Sequence, residues 1–369
     1  MENKQDLIEG FDPNAATVRG KLFGLPFTPE TAELVIIPVP WEVTVSYTSG
    51  TSLGPEAVLN ASSQIDLFLS DIPGAWKLGI AMLPVSDSLK EENQTYRVKA
   101  EKYIRWLEGE DKGTLEEEDF HQIKEEVNQV GSRLNNYVKS QALKYLNEGK
   151  MVAVLGGDHS TPLGLINALG THHEEFGILQ IDAHMDLRNA YEGFEYSHAS
   201  IMYNALDSKS VAKLVQVGIR DFCEEENDLV RSSNGRIKSY LDQDIRFRLF
   251  NGDSWQLICQ DIITQLPQKV YISFDIDGLD PSLCPNTGTP VPGGLSFQEA
   301  LFLIDSIVRS GREIIGFDLC EVSPAFDDVS ITPRPIHSSE WDANVGCRIL
   351  YQLSNLMAVS QGKLAYKAN

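Results

Sequence analysis

The chain has 369 residues and 41.0 kDa, room for one large α/β domain or two ordinary ones. Its 31 basic and 53 acidic residues leave a formal charge of −22, which argues against nucleic acid or an anionic membrane as the main partner. Five scattered cysteines (Cys223, Cys259, Cys284, Cys320, Cys347) with no CxxC spacing exclude a disulfide frame or zinc finger. No apolar run approaches the roughly 20 residues that span a bilayer, and the first residues lack a leader pattern, so a soluble cytoplasmic protein is expected.

Residues 1–32 read as an N-terminal extension, and 33–369 as a single domain. The first β-branched apolar run is Leu34–Val39, and Gly54-Pro55 then opens a helix-like stretch through Leu69. From Ser86 to Lys150 no strand is expected and the composition turns strongly charged, a helical insertion over 86–150. Within it Phe120, Ile123, Val127, Val130, Leu134 and Val138 recur at helical steps. Such a stripe packs on its own domain, or else forms an oligomer contact or a lid. The acidic run Glu116-Glu117-Glu118-Asp119 suits a helix N-terminal turn facing water.

Further strands are expected at 152–155, 177–181, 214–217, 270–274 and 314–317. Between the last two, Ser296 caps a helix over 296–308, with Glu299 completing a capping box. Near-continuous apolar strands alternating with helices predict a central, mostly parallel sheet covered on both faces, a three-layer αβα architecture.

Four of these strand exits carry unusual polar residues. They are Gly156-Gly157-Asp158-His159-Ser160, Asp182-Ala183-His184-Met185-Asp186, Asp275-Ile276-Asp277-Gly278-Leu279-Asp280-Pro281 and Asp318-Leu319-Cys320-Glu321. Each has a bland account as a turn or a helix cap. Open parallel sheets, however, build their sites outside the carboxyl ends of the strands. The alternating Asp182, His184 and Asp186 crowd two carboxylates and an imidazole at a buried strand end, and a divalent ion such as Mn, Fe, Co, Ni or Zn is the simplest reason to keep them there. With His159, Asp275 and Asp277 the candidate ligands are too many for one tetrahedral ion. They suit two ions sharing bridging carboxylates, between which a water becomes nucleophilic near neutral pH.

The motifs Gly156-Gly-Asp-His159-Ser, Asp182-Ala-His-x-Asp186 and Ser273-Phe-Asp-x-Asp-Gly-Leu-Asp-Pro-Ser282 resemble the three signatures of the arginase/agmatinase (ureohydrolase) family. The similarity spans about residues 33–357. It is strongest to agmatinase-type members, through Asp182–His198 and Thr287-Gly-Thr-Pro-x-Pro-Gly-Gly-Leu-Ser296. The resemblance implies an arginase-like fold and a hydrolase with two Mn2+ per subunit (Ni2+ or another divalent ion as alternatives) that splits a guanidinium group into urea and an amine. It implies that His159 and Asp186 bind one ion, His184 and Asp277 the other, and that Asp182 and Asp275 bridge both. Asp186 would orient the nucleophile and pass its proton to the leaving amine. Glu321 would bind the guanidinium, and His198 would shuttle protons or hold substrate. A homo-oligomer, trimer or hexamer, is also implied.

For the substrate, Glu192 and Glu195 would repel a carboxylate and tolerate a second cationic end, favouring agmatine. Arg188 nearby would instead hold an acid such as guanidinobutyrate. Guanidine, arginine and formiminoglutamate are the other substrates considered, and the long insertion would narrow the pocket. Two other classes stay open: a one-zinc deacetylase, and a non-catalytic ligand-sensing relative.

Overall fold

A computed structural model of the chain describes residues 3–110, 117–324 and 340–368. Eight strands form one sheet: β1 (Leu34–Val39), β2 (Ile80–Met82), β3 (Met151–Gly156), β4 (Phe176–Ile181), β5 (Val211–Ile219), β6 (Ile237–Leu241), β7 (Lys269–Asp275) and β8 (Glu313–Cys320). Their order is β2-β1-β3-β8-β7-β4-β5-β6, with every neighbouring pair parallel. The first helices are α1 (Lys4–Gly10), α2 (Gly54–Ala61), α3 (Asp87–Leu107), α4 (Glu117–Asn147), α5 (Leu163–His172) and α6 (Ile201–Ala205). The second half adds α7 (Glu224–Ser232), α8 (Asp242–Phe250), α9 (Trp255–Thr264), α10 (Phe297–Arg309) and α11 (Trp341–Ser360).

Strand alternation divides the apolar side chains between two cores. Leu34 and Ile36 of β1 enter one, with α2, α9, α10 and α11; Val35, Ile37 and Val39 enter the other, with α3, α4, α5 and α6. Both sheet faces are therefore covered, as the uninterrupted apolar strands require. Leu22, Phe23, Leu25 and Phe27 also sink into the first core, so the segment before β1 is fastened to the domain.

The insertion forms α3 and α4. Phe120, Val127, Val130, Leu134 and Val138 are buried in the second core, with Ile123 packed against it, and α4 lies on α5, β1 and β3. Trp106 stacks on Phe120 at 4.5 Å, joining α3 to α4. Of the acidic run, Glu116 lies outside the described residues, Glu117 opens α4, and Glu118 and Asp119 are exposed.

The structure departs from the sequence expectation in two places. The helix expected through Leu69 stops at Ala61 and is followed by a single turn, Ser62–Gln64. Ser62 explains the stop, since its hydroxyl accepts from Phe23 N at 2.9 Å and donates to Leu59 O at 2.7 Å. Strands β2 and β6, the two sheet edges, were not expected: one has three residues, and the other buries only Ile237 and Tyr240. The expected central parallel sheet is present, and each neighbouring pair of strands in it is parallel.

Candidate metal centre

Strands β3, β8, β7 and β4 are consecutive in the sheet, so their four polar exits open side by side. Two glycines let the loops close up. Gly157 packs against the Trp41 backbone, and a Cβ on Gly278 would lie 2.6 Å from Asp182 N. Asp186 and Glu321 adopt left-handed backbone, φ +54° and +62°. That conformation costs a non-glycine residue about 1–3 kcal/mol and is held by the surrounding structure, here where both chains turn back over the strand ends.

The six candidate ligands meet in two groups. His159 Nδ1 lies 3.0 Å from Asp182 Oδ2, 2.9 Å from Asp186 Oδ2 and 3.3 Å from Asp275 Oδ2. His184 Nδ1 lies 3.1 Å from Asp277 Oδ2 and 3.6 Å from Asp182 Oδ1. Asp182 thus shows one oxygen to each imidazole, and His159–Asp182–Asp186 and Asp182–His184–Asp277 both have the spacing of metal ligands. Asp275 Oδ1 accepts from Asp277 N at 2.8 Å, which leaves Oδ2 facing His159.

The far side of His159 is fixed as well. Ser273 Oγ donates to Asp318 Oδ2 at 2.9 Å and therefore accepts from His159 Nε2–H, also at 2.9 Å. Tyr271 OH donates to the same Asp318 oxygen at 2.7 Å. With Nε2–H committed to Ser273, Nδ1 is the nitrogen that faces the carboxylates, and it becomes a lone-pair donor once its proton leaves, the arrangement of a metal-binding histidine with its orienting partner.

The donor set fits a cation pair. His159 Nδ1 is buried with no hydrogen-bond partner although three carboxylate oxygens surround it. Burial, then the neighbouring Asp277 and Asp182, hold Asp275 well above the carboxylate range; burial, then Asp182, push Asp186 to about 7. Burial would lower His159, yet Asp182 and Asp186 hold it well above the ordinary imidazole value. The protein atoms alone cannot keep all these acids ionised, and positive charge between them would.

A cavity of about 180 Å³ opens over Asp186 and His184. Its wall includes Ser46, Tyr191, His198, Asp221, Phe222 and Thr289. His198 lies beside Tyr191 (centroids 6.0 Å apart, edge-on) with Nδ1 3.3 Å from Ser197 Oγ. Burial, then the charges of His184 and His159, push it down to about 3, so it stands neutral. Glu321 is buried beside Gly288 and is not among the residues of this wall; Oε1 accepts from His159 N at 2.9 Å, and burial followed by Asp158 raises it well above the carboxylate range.

The substrate expectations need correction. Neither Glu192 nor Glu195 lines the cavity, because φ +55° at Glu192 and +83° at Gly193 swing this segment toward α3 and α4. Among the described residues, the acids on the wall besides Asp186 are Asp221 and Glu226. Arg188 does line it, but its Nε lies 3.9 Å from Glu226 and its guanidinium 4.8 Å above the Tyr191 ring. No residue of 86–110 or 117–150 is on the wall, so these residues do not narrow the pocket.

A model of the arginase family matches residues 32–339. The chain is 34% identical over 304 residues to the N(1)-aminopropylagmatine ureohydrolase of Thermus thermophilus, covering 82% of this chain and 87% of that one. It is 26% identical to an agmatinase of Bacillus anthracis, covering 82% and 88%. Among solved structures, the agmatine ureohydrolase of Thermoplasma volcanium superposes with a TM-score of 0.67 at 20% identity, over 97% of this chain and 99% of that one; at that identity the likeness is one of fold. The chain belongs to the arginase family of ureohydrolases.

Proposed function

We propose that the protein hydrolyses a small cationic guanidino compound to urea and an amine, with agmatine, giving putrescine, as the favoured substrate. The carrying observation is Asp182, buried and shared between the two ligand groups, whose members Asp186 and His184 line a cavity walled by His198. In this proposal His159 and Asp186 hold one ion, His184 and Asp277 the other, and Asp182 and Asp275 both. The bound ions, Mn2+ in this proposal with Ni2+ as alternative, would supply the acidity that makes water nucleophilic at neutral pH and the positive charge that stabilises the tetrahedral carbon.

The chain's own groups do the rest. Glu321 pairs with the planar guanidinium. Asp186, on the cavity wall, takes the proton of the attacking water and returns it to the departing nitrogen as the C–N bond breaks. Neutral His198 holds the substrate by a hydrogen bond. Asp221 and Glu226 favour a cationic far end, while Arg188, already engaged by Glu226 and Tyr191, is poorly placed to bind an acid. A second substrate, agmatine lengthened by an aminopropyl group, is favoured by the Thermus likeness.

Family likeness also supports one catalytic unit over 33–369 and a trimeric or hexameric assembly, and five free cysteines support a reducing, cytoplasmic setting. The test is urea release by protein loaded with Mn2+ or Ni2+ from agmatine, N(1)-aminopropylagmatine, guanidinobutyrate, guanidine and arginine. Agmatine should give the highest kcat/KM. No urea from any of them, with two ions bound, would favour a ligand sensor, and a single zinc would favour a deacetylase.

A further inference from the structure

Two glutamines lie in strands where apolar residues would pack at less cost. Gln180 of β4 and Gln216 of β5 are both fully buried. Sheet register sets Gln180 beside Gln216, and Gln216 beside Ser239 of β6, so the three lie in one row leading from the sheet edge to the metal centre. We propose that Gln180, backed by Gln216 and Ser239, is a positioning residue that sets the Asp182 carboxylate and thereby the metal affinity of the centre. This rests on the binuclear reading above.

The row has a direction. Ser239 Oγ donates to Gln216 Oε1 at 2.6 Å. Gln216 Nε2 donates to Gln180 Oε1 and to Met185 O, both at 2.7 Å. Gln180 Nε2 in turn donates to Asp182 Oδ2 at 2.8 Å and to His184 O at 3.2 Å. Both amides therefore use both N–H groups and their carbonyl, and a flip of either would set oxygen against oxygen. A buried network satisfied this completely has one arrangement.

Its end point is the bridging residue. Asp182 Oδ1 accepts from His184 N at 2.6 Å and Oδ2 from Gln180, so the carboxylate plane is held at both oxygens. One oxygen then faces His159 and the other His184. The same glutamines hold the carbonyls of His184 and Met185, the backbone between the second and third residues of the Asp182-His184-Asp186 triplet. An apolar residue at 180 would fill the space and fix none of these groups.

The experiment is a Mn2+ titration of the full chain, wild type against Gln180→Met and Gln216→Met, with bound stoichiometry, circular dichroism and thermal midpoint measured alongside. Methionine keeps the length and removes the donors. At saturation Gln180→Met should still take two ions, with Kd weakened about 10- to 100-fold. Gln216→Met should weaken Kd in the same direction by less, because Gln180 keeps its amide but is freed to turn. Folded variants with wild-type affinity would overturn the proposal alone. If Gln180→Met does not fold, Gln216→Met decides it. A wild type that binds no ion would overturn the binuclear reading and this proposal with it.

Discussion

Asp275 is buried, faces His159 and is raised well above the carboxylate range by burial and by Asp277 and Asp182. Replacing it with a same-sized neutral group has opposite effects on the two states of the protein. In Asp275→Asn the metal-free fold is relieved of one crowded acid, while the ions of the proposed centre would lose a shared anionic ligand. The expected outcome is metal uptake lost in elemental analysis together with a metal-free thermal midpoint at or above that of the wild type; a fall in both would refute the ligand role. Glu321 separates binding from metal retention. Glu321→Gln keeps an acceptor for His159 N and removes only the charge that would meet a guanidinium. Losing a charge-assisted pair worth about 1.5–3 kcal/mol should raise KM about 10- to 100-fold with metal content unchanged. Unaltered kinetics would remove Glu321 from the substrate.

At the scale of elements, α3 and α4 hold the two loops of the cavity mouth from behind. Arg97 of α3 donates to Val43 O at 3.4 Å, to Ser49 Oγ at 2.9 Å and to Val45 O, and Asn93 Oδ1 accepts from Glu42 N at 2.7 Å. These bonds fix the loop that carries Ser46. Asn128 of α4 donates to Gly193 O at 3.2 Å and accepts from Glu195 N at 2.9 Å, fixing the loop that carries Tyr191 and leads to His198. Lys99–Glu126 at 2.5 Å ties the two helices together. Arg97→Ala and Asn128→Ala should each raise KM several-fold, with stoichiometric metal and a small loss of stability, since bonds to backbone carbonyls of this kind contribute about 1 kcal/mol each. Unchanged KM in both would reduce the pair of helices to packing. The strand exits could be read in the sequence because an apolar run followed by Asp, His or Glu marks its own end, and a parallel sheet aligns such ends whatever the strand order. The stripe from Phe120 to Val138 was readable for a similar reason, its period being local. What depends on register was not: Gln180 and Gln216 are single polar residues in apolar runs, and only the β4–β5 pairing makes them neighbours. Glu192 misled because adjacency in sequence placed it by the site, whereas left-handed backbone there turns it away.

For the whole molecule, the −22 charge and the buried acids of the centre push in one direction. Asp186 titrates near 7 in the metal-free fold against an ordinary 3.8, chiefly through burial and then Asp182. The fold therefore holds a proton there that the unfolded chain has released, so its contribution is complete below about 3.8 and lost as pH rises through about 7. His159 and His184, also raised, add stability that is full below the ordinary 6.5 and lost at higher pH, and the general repulsion of an acidic surface grows over the same range. The metal-free protein should become less heat-stable from pH 5 to pH 8. With the proposed ligand set, bound ions would reverse this, because they would take the place of those protons and bind more tightly as the protons leave. Each site filled at a hundredfold excess over Kd contributes about 2.7 kcal/mol, so two sites correspond to a gain on the order of 10 °C at pH 8. Calorimetry with EDTA and with Mn2+ across this range checks the sign: the gap between the two curves should widen as pH rises. A gap of constant width would mean that the ions bind away from Asp186 and the two imidazoles.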